Sequence, residues 1–184
     1  MEKVDHLEQW RHFIKGSQGA FEQLYVQHAK MLYRYGLHLT TNRELLEDVI
    51  HDLFVYLHER RTRLPEQVES VSAYLLVSFR HRLLRSLKEE SPTFIIDHVP
   101  EEKLIADRRA SSELMDRESR DEKKQLIAYI NTQLTDRQKQ IIYLRYREQL
   151  TFREIALVMD ISYQSAKNLM QKTLQKLKEK VGNR

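Results

Sequence analysis

Four glycines and three prolines in 184 residues leave this chain almost without the punctuation that hairpins and sandwich corners require. Helices need neither residue, so the scarcity points to an all-α fold. The apolar residues agree: Phe21, Leu24, Tyr25, His28, Leu32, Tyr35 and Leu39 recur at spacings of three and four. Hydrophobic residues make up 41% of the chain and charged residues 32%, enough apolar material for a core under a well-hydrated surface. No stretch approaches the roughly eighteen apolar residues of a membrane span, and the opening MEKVDHLEQW lacks a signal peptide's apolar core. The expectation is a cytoplasmic protein with no membrane insertion. With no Cys, disulfides, thiolate metal sites and cysteine nucleophiles are excluded together.

The helical pattern breaks once. From Gly16 to Lys88 successive amphipathic segments read as one module, whereas after Glu89 the prolines Pro92 and Pro100 bracket Phe94, Ile95 and Ile96 and mixed charges follow. This predicts two helical domains, residues 1–88 and 122–184, joined by a linker over 89–121. The C-terminal part restarts with two capping boxes, Thr135 to Gln138 and Thr151 to Glu154, in which a hydroxyl and a carboxylate or amide satisfy opposing amides. A short helix through Ile155, Ala156 and Met159, a break at Asp160 and Ile161, and a long helix capped by Ser162 make a helix-turn-helix.

Three helix faces are candidates for function. On the last helix Ala166, Met170, Thr173, Leu174 and Leu177 face a core, with Tyr163 beside them as packing. The opposite side gathers Gln164, Ser165, Asn168, Gln171 and Lys172, with Lys167 on the flank. Amides can pair with adenine edges in the major groove, and lysines meet phosphates without reading sequence. In the helix from Tyr74 to Lys88, Leu76, Phe79, Leu83 and Leu87 oppose Tyr74, Ser78, His81, Arg82 and Arg85, a basic face with a ring suited to single strands. Arg80 lies beside the apolar stripe, where an ion pair or snorkelling is expected. Between Glu44 and Glu59 the polarity reverses: Asp48, His51 and Asp52 surround an outward Val55, a pattern that suits protein docking. A plain solvated surface is the alternative for each face.

Catalysis has no comparable support. Glu47 with His51, and Asp48 with Asp52, stand one turn apart, but there is no HExxH, no Gly-rich phosphate loop and no nucleophile elbow. No enzyme, metal site or cofactor is expected.

The order of these faces resembles the extracytoplasmic-function sigma factors of bacterial RNA polymerase, over Gly16 to Val181. Gly16-Ser17-Gln18-Gly19-Ala20-Phe21 resembles the family's opening motif, continued by Leu24-Tyr25 and Leu32-Tyr33-Arg34-Tyr35. Glu47-Asp48-Val49-Ile50-His51-Asp52-Leu53-Phe54 is similar to the segment that docks on the clamp coiled coil of the polymerase, with His51 where Gln is usual. Ala73-Tyr74-Leu75 and Arg80-His81 resemble the segment that captures the melted minus-ten element, with His81 replacing an Asn. Leu134 to Gln138, Thr151 to Ala156, Ile161-Ser162 and Ala166-Lys167 look like the domain that reads the minus-thirty-five element, with Asp160 where Gly is frequent. The resemblance implies a non-enzymatic subunit. Its partners would be core RNA polymerase and promoter DNA, and it leaves room for an anti-sigma factor. Two readings from the residues alone stay open: a helix-turn-helix regulator that does not join polymerase, and a helical protein-binding adaptor.

Overall fold

The computed structural model describes residues 2–90 and 132–182, and among them the chain forms helices and no strand. The N-terminal unit holds α1 (Glu2–Ile14), α2 (Gln18–Gly36), α3 (Arg43–Arg60) and α4 (Val71–Glu90), with a 3-10 turn at Arg61–Arg63. The C-terminal unit holds α5 (Asp136–Ile142), a π-helical turn at Tyr143–Arg147, α6 (Phe152–Met159) and α7 (Tyr163–Gly182). The all-α expectation is met. Helix α4 runs two residues past Lys88, and the rest of the expected linker, with Phe94, Ile95 and Ile96, lies outside the described residues. No helix among the described residues is long and apolar enough to cross a membrane.

From α2 onward each helix starts where a short polar side chain accepts an otherwise unpaired amide. Ser17 accepts from Ala20 at 3.3 Å, Asn42 from Leu45 at 3.1 Å, Ser70 from Ala73 at 3.2 Å and Ser162 from Ser165 at 3.0 Å. Thr135 with Gln138 and Thr151 with Glu154 close the full reciprocal boxes that their spacing predicts.

The core of the first unit is built where α2, α3 and α4 meet, with Leu32, Tyr35, Leu46, Leu53, Leu76, Phe79 and Leu83 almost fully buried. Gly36, the last residue of α2, permits the closest approach. A β-carbon there would collide with a methyl of Leu46 and stand 3.0 Å from Phe79 Cζ, so only hydrogen fits between these helices.

The expected module begins earlier than Gly16. Helix α1 lays Trp10 and Phe13 into the same core, where Trp10 Nε1 donates to the Pro65 carbonyl at 2.9 Å and its ring meets Tyr74 edge-on at 5.2 Å. Phe13 stacks on Phe21, which touches Phe54 and His58. Each buried aromatic contributes about 1.5–3 kcal/mol from apolar area alone.

The two units pack on each other, α6 against α4, and the buried apolar residues run continuously from one to the other. Polar contacts line this seam. Gln140 Nε2 donates to the His38 carbonyl at 3.3 Å, the Tyr143 hydroxyl donates to the Met31 carbonyl at 3.3 Å, and the His38 and Tyr143 rings lie 5.1 Å apart. Burial, assisted by the Lys139 ammonium, holds the His38 imidazole down to about 4, so it is neutral at pH 7. Arg80, expected to snorkel or pair, is instead 5% exposed, and one of its amines donates to the Met159 carbonyl at 3.5 Å. Snorkelling fails because α6 covers the route to water.

The helix-turn-helix is present. Asp160 closes α6 in the left-handed region at φ 53°, and the amide of Ile161 reaches back to the Ala156 carbonyl at 3.0 Å. Two residues assigned to the inner side of α7 are more exposed than that: Leu174 is 41% and Tyr163 48% exposed.

Two substitutions test this account. Gly36→Ala should lower unfolding free energy by about 1–3 kcal/mol, the usual cost of overpacking, read by denaturant titration. Asp160→Gly should instead raise it by about 1 kcal/mol, because glycine adopts the left-handed conformation without steric cost. For a chain of this length that is about 2–4 °C in Tm.

Candidate nucleic-acid and polymerase interfaces

The acidic face lies on α3. Its inner stripe, Leu46, Val49, Ile50, Leu53, Phe54 and Leu57, is buried against α2 and α4, which turns Asp48, His51 and Asp52 outward. Val55 stands among them at 40% exposure. Glu44, Glu47 and Glu59 are also exposed, so the surface is anionic with a small apolar centre. The structure brings the four expected residues onto one face.

The basic strip lies on α4, whose inner side is held by Leu76, Phe79, Leu83 and Leu87. His81 and Arg85 are exposed one turn apart, while Tyr74, Ser78 and Arg82 are half-buried. Tyr74 is braced from behind by Trp10. Burial raises its phenol above the usual tyrosine range and Tyr56 adds to this, against a hydrogen bond with Ser78 and the charge of Arg82. Arg85 pairs with Glu89 at 2.9 Å, a solvent-exposed bridge of little stability that can be exchanged for a phosphate. Sequence reasoning missed one neighbour: the Arg82 guanidinium lies over the ring of Tyr56, 4.2 Å from its centroid. Tyr56 sits on α3 among acids, and only the packing of α3 on α4 reveals the contact.

The amide face lies on α7. Ala166, Met170 and Thr173 are buried, and the Thr173 hydroxyl is satisfied by the Leu169 carbonyl at 2.6 Å. Gln164, Ser165, Lys167, Asn168, Gln171 and Lys172 are all exposed on the outside. Gln164 Nε2 donates to Asn168 Oδ1 at 3.1 Å, which aligns two amides along the helix. Lys167 extends over the Tyr163 ring at 5.7 Å, and Tyr163 meets Phe152 edge-on, so this tyrosine supports a cation at the surface. The short α6 and the turn at Asp160 leave the N-terminal half of α7 open to a groove, the geometry that a recognition helix needs.

Two protein-family models match the chain. Residues 24–93 match the family described as sigma-70 region 2, and residues 132–179 match sigma-70, region 4. No curated protein matches the chain at a significant level. The solved 1.8 Å structure of the RsbN–BldN complex is similar at 18% identity over 92% of this chain and 97% of that one. Its TM-score is 0.37. The two matched regions span well over half of the chain, carry the α3 and α4 faces in one and the helix-turn-helix in the other, and are parts that bind core RNA polymerase and promoter DNA. The chain belongs to the sigma-70 family of RNA polymerase sigma factors, with the region 2 and region 4 organisation of its extracytoplasmic-function type.

Proposed function

We propose a division of labour among the three faces. Asp48, His51, Asp52 and Val55 dock on core polymerase; Tyr74, Ser78, His81, Arg82 and Arg85 hold the melted minus-ten strand; Gln164, Ser165, Lys167, Asn168, Gln171 and Lys172 read the minus-thirty-five element. One observation carries this reading: apart from Tyr74, which is half-buried against Trp10, none of these residues is packed on a core, and each set lies on the solvent side of a helix whose other side is packed. Charge assigns the tasks. An anionic face with an apolar centre steers and anchors a basic protein surface, a cationic strip with rings suits single-stranded DNA, and amides flanked by lysines suit the major groove. The functional domains in this proposal are residues 1–88 and 122–184. The protein supplies binding and positioning inside the cytoplasm, and polymerase supplies the bond chemistry. A regulator that never joins polymerase is not favoured, since it gives the region 2 match no task.

Asp52→Arg should weaken association with core polymerase while changing stability by less than about 0.5 kcal/mol, as solvent-face changes do. Co-elution with core enzyme at wild-type levels would refute the docking assignment. On α7, Gln164→Ala should relax base preference at the minus-thirty-five element and cost about 1–3 kcal/mol if its contact is bidentate. Lys172→Ala should weaken all sequences alike and lower the salt slope by about one. Both are read in holoenzyme on promoter variants across a salt series, and reversed behaviour of the two variants overturns the roles.

A further inference from the structure

Tyr56 is the one large aromatic on the outer side of α3, 39% exposed, in a helix where half of the other exposed residues are acidic. Acids are not what it faces. Its ring carries two guanidinium groups, Arg82 from α4 at 4.2 Å and Arg60 from its own helix at 5.9 Å. Neither arginine has a carboxylate within ion-pair distance among the described residues. Tyr74 is close enough for its phenol to respond to both Tyr56 and Arg82. Two uncompensated positive charges have thus been gathered over one exposed ring, beside a second ring.

Such an arrangement costs repulsion in the free chain and is relieved by a ligand that brings negative charge and a flat face together. A carboxylate side chain of a protein partner supplies the charge but no extended π face from the same group. A nucleotide of a single strand supplies both, its phosphate between the arginines and its base on the π surface. The site is also continuous with the α4 strip through Arg82, so a strand lying along α4 reaches it without leaving the surface.

We infer that Tyr56, with Arg60 and Arg82, forms a stacking site for one unpaired base of promoter DNA, extending the minus-ten surface from α4 onto α3. The inference rests on the reading of α4 as the single-strand surface.

The test uses reconstituted holoenzyme, a fluorescent single-stranded oligonucleotide carrying the non-template minus-ten sequence, and the corresponding duplex. Tyr56→Leu keeps an apolar side chain of similar bulk and removes the π face; it should lose roughly 5- to 150-fold in single-strand affinity, the range of one base–aromatic stack. Its salt slope should equal that of wild type, because no phosphate contact is removed, and its affinity for core enzyme should be unchanged. Tyr56→Phe should bind as wild type. Arg82→Ala should lower the slope by about one. Wild-type binding by Tyr56→Leu overturns the inference. So does an equal loss in Tyr56→Phe, which would assign the effect to the hydroxyl, and so does a loss of core affinity in Tyr56→Leu, which would assign the residue to the polymerase face. If wild-type holoenzyme itself does not prefer the single strand over duplex, the reading of α4 fails first, and the inference with it.

Discussion

The contact at Gly36 is the constraint from which the N-terminal unit follows. Because hydrogen is the only side chain there, α2 can close on Leu46 of α3 and Phe79 of α4 at once, and the leucines around them interdigitate with almost no exposure. That closeness sets the rotation of α3 and α4 about their axes. Rotation decides which residues face water, so the acids of α3 and the cations of α4 owe their outward direction to a packing event on the opposite side of each helix. The acidic face of α3 and the basic face of α4 therefore belong to one body, with a defined offset between them.

Much of this was legible in the sequence where a local rule suffices. The caps Thr135, Thr151 and Ser162 work as their spacing predicts, because a hydroxyl three residues before a free amide needs no distant partner. The stripe Leu24, Leu32, Tyr35 and Leu39 is buried as its period requires. Tyr25, on the same stripe, is half-exposed because it sits at the margin of the α2–α3 contact and covers Phe54 from outside. Fourteen of the fifteen proposed site residues lie clear of the core, since outward faces follow from the same period, and Tyr74 packs against its edge.

What the sequence withheld depends on partners far along the chain. Helix α1 carries a usable signal in Leu7, Trp10 and Phe13, but Trp10 owes its place to a carbonyl 55 residues away. Arg80 was open to snorkelling until α6, 79 residues further on, closed over it. The stack of Arg82 on Tyr56 joins two helices whose separate periodicities give no hint of it. The π-helical turn after α5 aims Tyr143 at Met31 in the other unit, and nothing in Tyr143 to Arg147 announces an extra residue per turn.

The seam between the units has a thermodynamic consequence. The two promoter elements lie about 25 base pairs apart, about 85 Å along B-form DNA at ~3.4 Å per pair. In the packed arrangement α6 touches both α4 and α7, which keeps those two helices within about two interaxial distances, roughly 20 Å. If α4 and α7 engage the two elements as proposed, the seam has to part first, and apparent promoter affinity then scales with the fraction of molecules already open. Every ~1.4 kcal/mol that holds the seam lowers it tenfold. Arg80 bears on that fraction directly. Buried with two of its nitrogens unpartnered among the described residues and one long bond to Met159 in exchange for water, it makes the closed form weaker than its apolar contacts alone would set.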